Sequence, residues 1–160
     1  MAGGYETDTV TRLETNLDDC PPEILGAAME ALLAAGALDV WFTPIQMKKH
    51  RPAVMLSVLC EEAAADALAD LIFRETTAFG LRRETITRLK LQRRFETVAT
   101  EFGEVTVKIG LKGDAVVQVA PEFASCRAVA ERTGQALRTI YDAALRARHI
   151  PKQPVIPTGA

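Results

Sequence analysis

No apolar run in this chain approaches the ~20 residues that a membrane-crossing helix needs, so no membrane role is expected. Histidine is scarce. His50 and His149 are the two present, which excludes a His-rich nickel site and a catalytic triad built from neighbouring sequence motifs. Cysteine is also sparse, at Cys20, Cys60 and Cys126. An odd number at wide spacing argues against a disulfide framework, and the lack of a CxxC pair argues against a structural zinc site. A reducing, cytoplasmic setting fits such a chain. The glycine-rich P-loop, GxSxG, HExxH and GxGxxG motifs are absent. Charge of one sign is lacking too: the net charge is -2. Without a broad basic surface to release counterions, DNA or RNA is not an expected partner. A local basic pocket for one nucleotide remains compatible. The opening Met1-Ala2-Gly3-Gly4-Tyr5 has no hydrophobic stretch and does not read as a secretory leader.

What is present suits one compact α+β domain. Hydrophobic residues make up 48% of the chain, enough for a core. From Val10 to Asp18 the residues alternate, with Leu13, Thr15 and Leu17 on one side and Glu14, Asn16 and Asp18 on the other, which predicts a strand. Pro22 suits the first turn of a helix reaching about Ala35, closed by Gly36. Leu38 to Met47 and Ala53 to Cys60 read as a hairpin around the basic turn Lys48-Lys49-His50-Arg51-Pro52. A helix from Glu61 to about Thr76 follows, then one alternating stretch from Leu81 to about Thr100. The order β-α-β-β-α-β is the ferredoxin-like split βαβ pattern. A β-β-α extension completes it: strands Gly103 to Lys112 and Ala115 to Ala120, and one long helix from Glu122 to about Arg148. Residues 1–9 are expected to be a flexible N-terminus, 10–148 a single domain, and 149–160 a flexible tail.

Three groups of residues stand out as candidate sites. Asn16 and Asp18 share a strand face roughly 6.6 Å apart and could converge on one hydrated cation, with Asp19 swinging in from the turn. Glu14 and Asp18, roughly 13 Å apart, are poor joint ligands. Oxygen donors of this kind suit Mg²⁺ or Mn²⁺. The same residues also read as a solvated strand face that ends in a helix-entry turn, where the dipole alone favours Asp. Lys48, Lys49 and Arg51 could hold a polyphosphate, the lysines as point charges and the arginine as a fork. They equally suit a solubilising turn. Arg74, Thr76, Thr77 and Arg82 bring hydroxyls and guanidiniums close together around Phe79-Gly80. The plainer account is a helix C-terminus and a turn.

Three blocks in order carry a resemblance: Glu14-Thr15-Asn16-Leu17-Asp18-Asp19 with Pro22-Glu23-Ile24-Leu25, then Phe42 to Ala53, then Ile72 to Arg82. Together they resemble the nickel-pincer cofactor nickel-insertion protein, the LarC family, over about Glu14 to Ala147. The resemblance implies the C-terminal domain of a CTP-dependent nickel insertase (a cyclometallase, with lyase chemistry). That protein places nickel in a pyridinium bis-thiocarboxylate mononucleotide and so serves lactate racemase. It implies CTP and Mg²⁺ or Mn²⁺ as cofactors, a homo-oligomer, and the N-terminal half of the same protein as partner. By position, Asp18, Asp19 and Asn16 would meet the divalent metal. Lys48, Lys49, Arg51, Arg74, Thr76 and Arg82 would be nucleotide-site candidates. The sequence departs from the family pattern where Cys20-Pro21 replaces a more usual Met-Thr, removing a capping hydroxyl, and where His50 replaces a small polar residue. Without the family's His-rich N-terminal half, CTP binding is expected of this piece and complete nickel insertion is not. Two other functions suit the same scaffold: a plain oligomerisation module, and a regulatory domain for a small molecule.

Overall fold

The computed structural model describes residues 4–148. They form an α+β structure with two separate sheets. The expected tail over 149–160, with His149, lies outside the described residues. The strands and helices run β1 (Glu6–Leu17), α1 (Pro22–Ala34), β2 (Asp39–Met47), β3 (Arg51–Cys60), α2 (Ala65–Glu75), β4 (Arg82–Lys90), β5 (Gln92–Thr100), β6 (Gly103–Lys112), β7 (Ala115–Pro121), α3 (Phe123–Thr133) and α4 (Leu137–Ala147). The sequence treats 10–148 as one domain; the chain gathers into two compact units. One is Thr7–Arg88, and the other joins Leu89 onward to the first residues. Strand β1 begins at Glu6, inside the stretch 1–9.

The Thr7–Arg88 unit holds a four-stranded sheet in the order β2-β3-β1-β4. Antiparallel register pairs Leu13 with Val58, Leu17 with Val54, and Met47 with Arg51. Leu13, Leu17, Leu56 and Val58 point to one side and pack with Leu25, Leu32, Leu68, Leu71 and Ile72 of α1 and α2. Burying each such side chain is worth about 1.5–3 kcal/mol, so this face stays under the helices. The period of two then sends Glu14 and Asn16 to the opposite face.

Helix α1 starts with Pro22 in its first turn, where the missing N–H costs nothing. It ends in a Schellman closure. Ala37 N–H donates to the Leu32 carbonyl and Gly36 N–H to that of Leu33, with Gly36 at φ +95°.

The second unit stacks β5-β6-β7 against α3 and α4. Its core is Val105, Val107, Ile109, Val119, Cys126, Val129, Ile140 and Ala144. Two sequence expectations are corrected here. The stretch from Leu81 to Thr100 is two strands in two different sheets, parted at Leu91. Alternation runs through the break unmarked, because sheet membership depends on distant pairing partners. The long helix from Glu122 is also two helices. Gly134 adopts the left-handed conformation at φ +68°, and its N–H closes α3 on the Ala130 carbonyl. The apolar spacing from Val129 to Leu137 keeps nearly the same phase on both sides, which hid the break from periodicity.

Candidate nucleotide and metal site

Antiparallel pairing brings three chain segments to one end of the four-stranded sheet. Strand β1 finishes there at Leu17, leaving Asn16, Asp18 and Asp19 at its tip. Strand β3 starts there at Arg51, directly after the β2–β3 turn. The α2–β4 loop delivers Arg82 on the other flank of β1. Between them lies a cavity of about 450 Å³ lined by Asn16 of β1 with Asp18 and Asp19 just past its end, Lys48 and Arg51 from the hairpin, and Thr77, Phe79 and Arg82 from the last loop and the start of β4. That volume lies in the range of small-molecule sites.

The lining is cross-linked. Arg51 Nη1 donates to Asp18 Oδ2 at 3.1 Å. Arg82 Nη2 donates to Asn16 Oδ1 at 2.9 Å, and its Nε lies 3.8 Å from Glu14 Oε2. Thr77 Oγ1 donates to Asp19 Oδ1 at 2.6 Å. Thr15 Oγ1 donates to the Gly80 carbonyl at 2.7 Å, tying the loop to β1. The Asp18 side chain is 20% exposed, against 55% for Arg51 and 48% for Arg82. The carboxylate therefore forms the wall and the cations face the opening.

Six of the nine predicted site residues share this cavity: Asn16, Asp18, Asp19, Lys48, Arg51 and Arg82. Three do not line it. Lys49 sits at the turn's tip with φ +62°. Arg74 pairs with its neighbour Glu75 at 2.8 Å and is 72% exposed. Thr76 Oγ1 donates to the Ile72 carbonyl at 2.7 Å and accepts from Ala78 N–H at 3.1 Å, capping α2. Thr77, considered beside Thr76, faces the cavity instead. A one-residue choice of this kind depends on how the helix end unwinds, which spacing does not specify. Glu14 is the residue that the sequence undervalued. Its side chain is 13% exposed, accepts from Ser57 Oγ at 3.1 Å, and lies between Arg12 and Arg82. Its bracing of Arg82 left no mark in the spacing of the sequence.

Among the described residues no three acidic, cysteine or histidine side chains cluster as a complete metal cage. Asp18, Asp19 and Asn16 present two carboxylates and an amide oxygen to the cavity, hard oxygen donors of the chemistry that Mg²⁺-class ions take. Lys48, Arg51 and Arg82 line the same cavity, so it carries both signs of charge.

Comparison with known proteins agrees on one family. The family described as "Nickel insertion protein" matches residues 1–141. A "Pyridinium-3,5-bisthiocarboxylic acid mononucleotide nickel insertion protein" of Thermotoga sp. (strain RQ2) is 44% identical over 131 residues, covering 82% of this chain and 33% of that protein. The protein of the same name from Acetivibrio thermocellus is 44% identical over 140 residues, covering 88% of this chain and 34% of its own length. The chain thus spans about a third of these relatives. A solved structure described as "LarC2, the C-terminal domain of a cyclometallase involved in the synthesis of the NPN cofactor of lactate racemase, apo form" superposes with a TM-score of 0.84 at 47% identity, covering 89% of this chain and 99% of that one. Protein MK0293 from Methanopyrus kandleri AV19 follows at a TM-score of 0.67 and 30% identity, covering 92% of each chain. With most of its length matched in sequence and in backbone, this chain belongs to the nickel insertion protein family and corresponds to its C-terminal domain.

Proposed function

We propose that this chain is the nucleotide-holding domain of a CTP-dependent nickel-insertion protein, acting with the N-terminal half of the same protein on the pyridinium bis-thiocarboxylate mononucleotide. Nickel is the cargo of the whole protein. The carrying observation is the single cavity where Lys48, Arg51 and Arg82 meet Asp18 and Asp19. Carboxylates beside a triphosphate would repel it unless a divalent cation stood between them. The mixture of both charges on one wall therefore suits a metal–triphosphate better than a bare anion. Asp18, Asp19 and Asn16 would hold Mg²⁺ or Mn²⁺, whose contribution is charge neutralisation at the phosphates. The protein's own part is positioning. Lys48 presents a point charge, Arg51 and Arg82 present planar forks, and Glu14 with Asn16 holds Arg82 in place. Such chemistry needs no protein nucleophile.

The element order β-α-β-β-α-β and the strand order β2-β3-β1-β4 support a ferredoxin-like scaffold for this unit. A homo-oligomer belongs to the same reading, and Ile24 and Leu33 on α1 and Phe73 on α2 are apolar side chains left exposed for a second copy to cover. Free cysteines suit a cytoplasmic setting. Among the described residues no helix is long and apolar enough to cross a membrane.

The test is calorimetric titration of this chain with CTP and Mg²⁺. Saturable binding that drops at least tenfold in Arg51→Ala and in Arg82→Ala, with weaker binding of ATP, is the expected result. No heat at millimolar CTP would remove the nucleotide from the picture and leave an assembly module.

A further inference from the structure

The loop between α2 and β4 is fastened on both sides of one aromatic residue. Before it, Thr76 caps α2 and Thr77 bonds Asp19. After it, the Gly80 carbonyl accepts from Thr15. Ala78 and Leu81 both pack against the core. Phe79 lies among these anchors, yet the residue is fully exposed, the most of any large hydrophobic residue described. It nonetheless lines the cavity that holds Arg82 and Lys48. The space beside Gly80 is open, with no atom within 4 Å of where a Cβ would stand. A chain that half-buries positions 78 and 81 and fixes 77 and 80 leaves the residue at 79 exposed at the edge of the cavity.

We propose that Phe79 is the stacking platform for the planar heteroaromatic ring of a ribose-phosphate ligand bound in this cavity. The proposal rests on the nucleotide reading above and adds a residue to it. An aromatic ring offers a flat π-face to any base and gives little preference among bases. It adds affinity for ligands that carry a ring and none for the phosphates alone. The ring could come from a nucleoside triphosphate or from a pyridinium mononucleotide, and both carry the same two recognisable parts.

The experiment compares wild type, Phe79→Ala and Phe79→Trp by calorimetry in Mg²⁺, using three probes: CTP, inorganic tripolyphosphate and nicotinate mononucleotide. Equal melting temperatures of the three proteins serve as the folding control, and the exposure of the ring makes equality the expected result. Wild type should bind CTP more tightly than tripolyphosphate. Phe79→Ala should weaken CTP by about ten- to a hundredfold, the scale of one base–aromatic stack. It should leave tripolyphosphate within twofold, and Phe79→Trp should keep most of the CTP affinity. A loss for nicotinate mononucleotide alone would also support stacking and would assign the ring to the pyridinium source. Unchanged affinity for both ring-bearing probes overturns the proposal while the nucleotide site stands. So does equal weakening of tripolyphosphate, or a change in oligomer mass in Phe79→Ala. If wild type binds neither CTP nor tripolyphosphate, the nucleotide reading falls and the stacking role falls with it.

Discussion

Arg51 and Asp18 face each other at 3.1 Å across the open end of the four-stranded sheet, one from the start of β3 and the other just past the end of β1. An exposed pair of this kind adds little to stability, typically about 0–1 kcal/mol. Its interest lies in what it keeps ready. The carboxylate holds the guanidinium over the cavity. A cation on Asp18 and a phosphate on Arg51 could each take the place of the other partner.

Asp18→Asn keeps the size of the side chain and removes its charge. In this variant, added Mg²⁺ or Mn²⁺ should no longer improve CTP binding. Affinity with the metal should fall at least tenfold, to the level measured without it. Titrations with and without metal check this, and a metal effect of full size in the variant would take Asp18 out of the site.

Lys49 and His50 both hold positive φ, at 62° and 58°. Such a conformation costs a side-chain-bearing residue about 1–2 kcal/mol, and glycine avoids that cost at some entropic loss. Lys49→Gly should therefore raise stability by about 0.5–1 kcal/mol, or about 1–4 °C in Tm. Since Lys49 does not line the cavity, CTP affinity should stay within threefold. A large loss of affinity with unchanged Tm would show that the turn's tip reaches the ligand.

Two glycines should respond in opposite directions. Gly26 lies inside α1, exposed, and an added methyl group there would meet nothing within 4 Å, so Gly26→Ala should gain about 0.5–1 kcal/mol. Gly134 has the same open space but a φ of +68°. Gly134→Ala should lose about 1 kcal/mol or more, because alanine resists that backbone. Urea unfolding of the two variants measures both signs.

Glu62 accepts hydrogen bonds from the Thr11 hydroxyl and from Arg83, and these two donors, Thr11 first, hold its carboxyl below the usual value of about 4.3. A depressed carboxyl contributes stability that is complete above its unfolded-state pKa. That contribution fades as pH falls through the lower folded-state pKa. Wild type should thus lose Tm below about pH 4.3, and Glu62→Gln should show a shallower fall over that window. Melting curves from about pH 3 to 7 decide it, with identical slopes as the contrary result.

Local patterns carried the Thr7–Arg88 unit well. Alternation through Leu13, Thr15 and Leu17, the Pro22 entry, the Gly36 stop and the basic hairpin turn each leave a short-range mark, and each element formed within a few residues of its expected bounds. The break at Leu91 and the kink at Gly134 left weaker marks, since neither disturbs the spacing of apolar residues. In the cavity, the charges at Asp18, Lys48, Arg51 and Arg82 were visible as chemistry. Their meeting depends on β1 lying between β3 and β4, which no local pattern states. The choice of Thr77 over Thr76, and the outward ring of Phe79, follow from how one loop is pinned. Those pins are hydrogen bonds to residues about sixty positions earlier in the chain.

Because the cavity wall is assembled from three stretches that are far apart in sequence, it ceases to exist once the sheet comes apart. A molecule lodged there would act as a rivet through β1, the hairpin and the α2–β4 loop. Occupancy and resistance to unfolding would then rise together, by RT ln(1 + [L]/Kd). A melting curve could report the guest before any chemistry is known.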